Sequence, residues 1–251
     1  MTKKCIAIVT GASSGLGREF VRQLDDCLKK VDEIWLIARR QERLLDLKAE
    51  IENLQVRILP LDIKREADLN VLSGILEVEQ PVVRLLINSA GVGRAGRFEE
   101  LTREEATNMV EVNNKALVAL THMVLPYMRK GSNLIQVASA SAFLPQKEFA
   151  VYAASKSFVL SFTRALRAEV KDKGIKVTAV CPGPVDTEFL TISNEGRKEK
   201  KLKKLVTVNP KVVAIKALRD AKEGKELSIY GVPMNAVYIA AKVLPHKLLL
   251  H

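Results

Sequence analysis

The sequence has few of the residues that bind metal ions or form disulfide frameworks. Its 251 residues include only three cysteines, Cys5, Cys27 and Cys181, which lie far apart without a CxxC pair. An odd number of scattered cysteines favours buried free thiols. The three histidines are His122, His246 and His251. None of them has a neighbour at ligand spacing, so we expect no catalytic metal.

Long apolar runs are also missing. No stretch of about 18 uninterrupted apolar residues occurs, which argues against a membrane-spanning helix. The amino-terminal stretch MTKKCIAIVTGASSG moves from two lysines into a short strand-like run, without a signal-peptide cleavage pattern. We therefore expect a cytoplasmic protein. The composition, 47% hydrophobic and 27% charged, is that of a globular chain able to bury a sizeable core.

Acidic residues are fewer than basic ones, 29 against 40, which gives a net charge of +11. Most lysines and arginines are interleaved with acids along helical stretches, as on solvated helix faces. The one concentrated run is RKEKKLKK, Arg197–Lys204, and no aromatic residue interrupts it. We therefore expect no nucleic-acid partner. The run could be a solvated helix face, a site for an acidic group, or a contact with a membrane surface.

Short apolar runs alternate with charged stretches of helical periodicity. This pattern predicts βαβ units, hence an α/β fold with a doubly wound parallel sheet covered by helices on both faces. No linker or internal repeat interrupts it, so we expect a single domain over residues 1–251. The predicted strands are Cys5–Val9, Ile34–Ala38, Val56–Leu61, Arg84–Asn88, Asn133–Ser139, Ile175–Cys181 and Glu226–Tyr230.

One helix has clear end signals. Thr102 followed by Glu105 forms a capping box and predicts a long helix from there to about Arg129. Gly131 follows as a stop signal. Pro126 should kink this helix or end it early.

A glycine-rich stretch joins the first strand to the first helix. It reads TGASSGLG, Thr10–Gly17, between CIAIV and REFVRQLDD. Glycines at such a junction allow a sharp turn and a close approach to a ligand, and the helix amino terminus favours a phosphate. The sequence therefore predicts a dinucleotide site here.

The end of the second predicted strand lacks the acidic residue that would bind a ribose 2′-hydroxyl. Counting 21 residues from Gly17 leads to Ala38, which is followed by Arg39 and Arg40. Guanidinium groups at this point suit a 2′-phosphate, so NADP(H) is favoured over NAD(H). We expect Arg39 to be the main contact, although both arginines could simply be solvated at a helix start.

The stretch YAASK places Tyr152 and Lys156 four residues apart, on one face of a predicted helix. A free tyrosine has a pKa near 10, and a neighbouring ammonium favours its phenolate. We therefore expect Lys156 to lower the pKa of Tyr152 and to prepare it for proton transfer.

Seven motifs together resemble the short-chain dehydrogenases/reductases in order and spacing. They are TGASSGLG, Leu61–Asp62, Asn88–Gly91, Val112–Asn113, Ser139, Tyr152–Lys156 and Pro182–Thr187. The match extends over about residues 5 to 190. The resemblance implies a seven-stranded parallel Rossmann sheet and hydride transfer between a nicotinamide and a carbonyl or alcohol carbon.

The resemblance also assigns roles to four residues, the catalytic set Asn113, Ser139, Tyr152 and Lys156. Tyr152 would be the general acid/base, and Lys156 would also bind the nicotinamide ribose. Ser139 would stabilise the substrate oxygen, with Ser141 as its rival, and family spacing favours Ser139. Asn113 would hold a proton-relay water, and the family's Val–Asn pairing favours it over Asn114.

The residues that the resemblance assigns to the cofactor come from all parts of the motif set. Asp62 would accept from the adenine amino group, the turn at 88–91 would pass under the adenine ribose, and 182–187 would hold the nicotinamide. The full set is Gly11, Ser13, Ser14, Gly15, Leu16, Gly17, Arg39, Asp62, Asn88, Ala90, Gly91, Tyr152, Lys156, Pro182, Gly183, Val185 and Thr187.

The carboxyl-terminal quarter departs from the 3-oxoacyl carrier reductases of this family. Its extension, about 231–251, is more similar to hydroxysteroid and long-chain carbonyl reductases, which implies a bulky apolar alcohol or ketone, steroid-like or acyl-chain-like. We expect a homodimer through the helices at about 102–129 and 152–172, with a homotetramer as the alternative. The tail at 237–250 could cover the pocket, a partner subunit or a membrane surface.

Two segments outside the motifs are expected to select the substrate, the loop Phe143–Phe149 and a lid at about 188–207. Two functions without turnover remain as alternatives. One is a sensor of the NADP(H) ratio, and the other is a carrier- or membrane-docking protein that uses the basic lid.

Overall fold

The computed structural model describes residues 3–25, 31–193 and 207–244. Within these ranges, seven strands form one parallel sheet in the order β3-β2-β1-β4-β5-β6-β7. The predicted α/β fold with a doubly wound parallel sheet is confirmed. The strands are β1 Cys5–Thr10, β2 Glu33–Ile37, β3 Gln55–Leu59, β4 Val82–Asn88, β5 Met128–Val137, β6 Lys176–Val180 and β7 Leu227–Ser228.

Helices connect the strands and cover both faces of the sheet. The α-helices are α1 Gly15–Asp25, α2 Gln41–Ala49, α3 Glu66–Glu79, α4 Arg103–Val110, α5 Leu117–Val124, α6 Ala150–Glu169, α7 Glu188–Ser193, α8 Pro210–Glu223 and α9 Val232–Val243. A π-helical segment, Glu111–Ala116, joins α4 to α5, and short 3₁₀ turns lie at Phe98–Glu100, Leu125–Tyr127 and Ala140–Ala142.

The strands at the centre of the sheet, β1 and β4 with β2 beside them, are mostly apolar because both faces of the sheet are buried there. Successive side chains of a strand point to opposite faces. Ala7 and Val9 of β1 accordingly pack with α1, α2 and α8, whereas Ile6 and Ile8 pack with α3, α5 and α6. Cys181, at the end of β6, is a buried free thiol in a third apolar cluster, and Cys5 is also free. Cys27 lies outside the described residues.

The strand order reverses between β1 and β4, and a crevice opens there at the carboxyl ends of the strands. Open parallel sheets bind ligands at such a switch point. Thr10 fixes the two strand ends together, because its Oγ1 accepts hydrogen bonds from the backbone N–H groups of Ser89 and Ala90, both at 3.1 Å.

The helix predicted from Thr102 to about Arg129 is shorter and less regular. Its capping box is present, with Glu105 N–H donating to Thr102 Oγ1 at 3.1 Å and Thr102 N–H donating to Glu105 Oε2 at 2.9 Å. The helix ends in the 3₁₀ turn that contains Pro126, as its missing N–H requires. The early end predicted from Pro126 is therefore confirmed, whereas the end near Arg129 is wrong because Arg129 and Gly131 belong to β5.

Part of the carboxyl-terminal extension packs on its own domain. Met234, Val237, Tyr238 and Ala241 of α9 contact the third apolar cluster around Phe143. No helix in the described part of the chain combines the length and apolar character needed to cross a lipid bilayer. The basic run 197–204, most of the predicted lid and residues 245–251 lie outside the described ranges.

Candidate active site

A cavity of about 570 Å³ follows the crevice at the carboxyl ends of the strands. It extends from the end of β2, over the glycine-rich loop, to the start of α6 and to α9. The predicted site residues that line it are Gly11, Ser13, Ser14, Gly15, Leu16, Gly17, Arg39, Asp62, Ala90, Gly91, Ser139, Tyr152, Lys156, Pro182, Gly183, Val185 and Thr187. Each of the seven sequence motifs therefore contributes at least one residue to the lining of this cavity.

Asn88 is the predicted cofactor residue that the structure turns away from this cavity. Its side chain is buried, and Nδ2 donates to Thr121 Oγ1 and to Gln136 Oε1, both at 3.0 Å. A buried amide must find such partners, and these lie in the core between β4, β5 and α5. The Asn88 side chain therefore does not line the cavity, and the expected contact between Asn88 and the cofactor stays a prediction. Ala90 and Gly91 of the same turn do reach the cavity.

Asn113 lies behind the cavity wall, within the π-helical segment. Its Oδ1 accepts from Val92 N–H, while its Nδ2 donates to the Val92 carbonyl and to Ser155 Oγ, each at 2.9 Å. The amide therefore ties the loop after β4 to α6. A Cβ atom on Gly91 would lie 3.3 Å from both Asn113 Oδ1 and Lys156 Nζ, so glycine allows the two groups to approach. Such π segments are frequent at functional sites.

The phenol of Tyr152 is buried in an aromatic surrounding at the start of α6. Its ring packs on Phe149 with a centroid distance of 4.3 Å and on Phe189 at 5.5 Å. Burial raises the pKa of Tyr152 to about 12, and the hydrogen bond with Ser139 opposes that rise. The expectation of a lowered pKa is therefore wrong, because desolvation outweighs the hydrogen bond with Ser139.

Lys156 lies one helical turn further on and is equally buried. Its Nζ donates to the Val137 carbonyl at 2.9 Å and lies 5.7 Å from the centroid of the Tyr152 ring. Burial lowers the pKa of Lys156 to about 8. The ammonium thus faces the ring and the end of β5, and it remains mostly charged at neutral pH.

The two candidate serines have different partners. Ser139 lies two residues after the end of β5. Its hydroxyl forms a hydrogen bond with Tyr152 and also accepts one from Ser141 N–H at 3.1 Å. The Ser141 hydroxyl instead pairs with Gln146 Oε1 at 3.3 Å. The structure therefore brings Ser139 to the tyrosine.

Arginines form the rim at the other end of the cavity. Ala38 follows the last residue of β2, and the next two residues, Arg39 and Arg40, line the cavity there. Arg39 is exposed, whereas Arg40 Nη2 lies 3.4 Å from Ser13 Oγ and also pairs with Glu188. Two guanidiniums thus lie where many dinucleotide sites carry a carboxylate.

The apolar end of the cavity includes residues from both segments expected to select the substrate, together with helix α9. The side chains lining it there are Leu144, Phe149, Phe189, Ile192, Met234 and Val237. Sequence reasoning did not single out Met234. A Cβ atom on Gly183 would lie 2.6 Å from Met234 Sδ, so the glycine after Pro182 was the only local signal of this close approach.

The fold and this cleft define a dinucleotide-binding oxidoreductase. The family model described as short chain dehydrogenase matches residues 5–198, and the chain belongs to this family of NAD(P)-dependent oxidoreductases. Sulfoacetaldehyde reductase 2 from Chromohalobacter salexigens is 32% identical over 196 residues, which cover 76% of this chain and 77% of that protein.

Solved structures share the whole fold. A short-chain dehydrogenase from Sphingobium yanoikuyae in complex with NADPH has a TM-score of 0.81 at 24% identity, with 98% of this chain and 95% of that one covered. The closed form of a serine dehydrogenase complexed with NADP+ has a TM-score of 0.71 at 28% identity, with 96% and 90% covered.

Proposed function

We propose that this chain is an NADP(H)-dependent reductase that interconverts a bulky apolar ketone and its secondary alcohol, with Tyr152 as general acid/base. The observation that carries the proposal is the meeting of the Tyr152 phenol, the Ser139 hydroxyl and the Lys156 ammonium in one cleft between aromatic rings. The bound nicotinamide would supply or accept the hydride.

The proton is the part of the reaction that this chain provides. A phenol whose pKa is about 12 is protonated at neutral pH and can donate to a substrate oxygen that gains negative charge. Ser139, already hydrogen-bonded to Tyr152, can donate to the same oxygen. The positive charge of Lys156 opposes the cost of leaving a phenolate in a buried site. This arrangement favours ketone reduction at neutral pH.

The cofactor assignment depends on the rim of the cavity. Arg39 and Arg40 follow the second strand where an NAD(H) site would carry a carboxylate. The serine dehydrogenase relative, at 28% identity, is an NADP+ complex, which supports the same choice.

The substrate class depends on the opposite end. Phe149, Phe189, Met234 and Val237 present an apolar surface next to Tyr152. Such a surface suits a steroid-like or acyl-chain-like ketone better than a small charged aldehyde. The contribution of α9 supports the likeness to hydroxysteroid and long-chain carbonyl reductases. We further propose that the chain acts as a homodimer.

The proposal is tested by nicotinamide fluorescence titration with NADPH and NADH, followed by turnover against a panel of ketones. Tyr152→Phe should bind NADPH like the wild type while kcat falls about 10²- to 10⁴-fold, because the proton donor is removed. Tyr127→Phe, the same change outside the cavity, should leave kcat unchanged. Retained turnover in Tyr152→Phe would overturn the assignment of the acid, and equal NADPH and NADH affinities would overturn the cofactor preference.

A further inference from the structure

Glu188, which lines the cleft, pairs with Arg40 of the rim and with the neighbouring Arg43, which lies just outside the cavity lining. Arg43 pairs with Glu188 through two contacts, Nη1 to Oε2 at 2.8 Å and Nη2 to Oε1 at 3.1 Å. Arg40 adds Nη2 to Oε2 at 3.1 Å and Nη1 to Oε1 at 3.3 Å. The carboxylate therefore receives both guanidiniums at once.

The sequence separates these groups by about 145 residues, and the fold brings them together. Arg40 is the extended residue immediately before α2, and Arg43 lies in the first turn of that helix. Glu188 begins α7, directly after the cofactor motif that ends at Thr187. The ion pairs thus connect the segment between β2 and α2 with the start of α7, across the mouth of the cavity.

The charges at this point are accessible to an anion from solution. The side chains of Arg40, Arg43 and Glu188 are 40%, 41% and 34% exposed. Hydrogen bonds from Arg43 and then Arg40 lower the pKa of Glu188 to about 2, so the carboxylate is ionised at every physiological pH. Two guanidiniums facing one carboxylate leave a surplus of one positive charge.

A guanidinium fork binds a carboxylate and a phosphate with the same paired donors. We propose that Glu188 competes with the 2′-phosphate of NADP(H) for Arg40 and Arg43, and so sets how strongly the chain discriminates NADP(H) from NAD(H). The inference rests on the proposed NADP(H) function and deepens it. It makes Glu188 a specificity-determining residue that weakens phosphate binding while it is paired.

Helix α7 does not depend on Glu188 alone for its position. At its other end, the Ser193 carbonyl accepts from Ala95 N–H at 2.8 Å, and the Ile192 carbonyl accepts from Arg94 Nη1 at 3.3 Å. Phe189 also packs on the Tyr152 ring. The variant Glu188→Gln is therefore expected to keep α7 in place and to remove mainly the competing charge.

The test compares two ligands that differ by one phosphate group, adenosine 2′,5′-bisphosphate and adenosine 5′-monophosphate. Their affinities are measured by calorimetry on the full chain, as wild type, Glu188→Gln and Glu169→Gln. The last is a matched control, because Glu169 is exposed at the far end of α6 from Tyr152. We expect Glu188→Gln to bind the bisphosphate about threefold to tenfold more tightly, as loss of half-exposed ion pairs permits, with the monophosphate unchanged.

The remaining outcomes separate this inference from the cofactor assignment. If the wild type prefers the bisphosphate and Glu188→Gln does not increase that preference, the competition is overturned and the NADP(H) assignment stands. Equal gains for both ligands, or weaker bisphosphate binding, also overturn it. If the wild type shows no preference but Glu188→Gln acquires one, the competition is supported and the NADP(H) assignment fails. No preference in either protein overturns both.

Discussion

Burial controls the protonation of the two titrating side chains at the centre of the cleft. It raises the pKa of Tyr152 to about 12 and lowers that of Lys156 to about 8, because water is excluded from both. At pH 7 the phenol keeps its proton and the amine keeps most of its charge. In the proposed reaction, this pairing would supply a proton to a developing alkoxide next to a fixed positive charge.

The direction of these pKa values predicts different pH profiles for the two reaction directions. Ketone reduction should fall by no more than about twofold between about pH 6 and 8, since Tyr152 remains protonated throughout and Lys156, whose pKa is about 8, loses up to half of its charge. Alcohol oxidation should rise about tenfold per pH unit, because it needs the phenolate, whose fraction grows tenfold per unit below the pKa. Initial rates as kcat/KM in both directions check this. Reduction that falls across that range with a midpoint near pH 7 would contradict a raised Tyr152 pKa.

The sequence located the proposed catalytic side chains better than it described their surroundings. Motif and spacing selected Tyr152, Lys156 and Ser139, and all three line the cavity. The pKa of Tyr152 was predicted in the wrong direction because it depends on burial, which a motif does not encode. The pairing of Glu188 with Arg43 was missed because it depends on how two distant segments fold together.

At the scale of elements, the glycine-rich loop keeps its path because the backbone at Gly17 packs closely against the backbone at Gly11. A Cβ atom on Gly17, in the first turn of α1, would overlap the Gly11 carbonyl oxygen. Backbone atoms cannot move away as a flexible side chain can. The close approach therefore fixes the path of the loop that lines the cavity.

Gly17→Ala should lower the free energy of unfolding by about 1–3 kcal/mol, because the methyl group overpacks the loop. It should also weaken NADPH binding, since the loop must shift. Gly74→Ala in α3 is the matched control, because nothing lies within 4 Å of an added Cβ there. It should raise stability by about 0.5–1 kcal/mol. Urea unfolding measures the change in stability, and NADPH titration measures the change in binding. A Gly17→Ala protein as stable as wild type would contradict the close packing of Gly17 against the Gly11 carbonyl.

Local signals predicted an element boundary where contacts within one turn set it, and failed where tertiary contacts set it. The capping box at Thr102 marks the start of α4 because it acts within one turn. The π-helical segment that holds Asn113 was not predicted, since it is set by contacts with Val92 and Ser155. β5 begins at Met128, five residues before the predicted strand, because tertiary pairing with β4 extends it.

At the scale of the whole molecule, the sheet order was foreseeable and the outer surface was not. Alternating strand and helix patterns predict parallel crossovers, and the resemblance adds their number and connection. The outer faces of the helices carry weaker signals. Phe158 on α6 and Val110 on α4 remain 45% and 48% exposed, and the Phe158 ring stacks on Phe162 with centroids 6.1 Å apart.

Exposed aromatic and aliphatic side chains on two helices that pack together are typical of a subunit contact. We therefore predict that the 27.8 kDa chain elutes as a homodimer, with the α4 and α6 faces of two copies in contact about a twofold axis. Phe158→Glu should shift the mass measured by light scattering towards the monomer, because it buries an unpaired charge in the contact. Val78→Glu, on the exposed side of α3, should not. A monomeric wild type, or a Phe158→Glu protein that stays dimeric, would show that this face is not the interface.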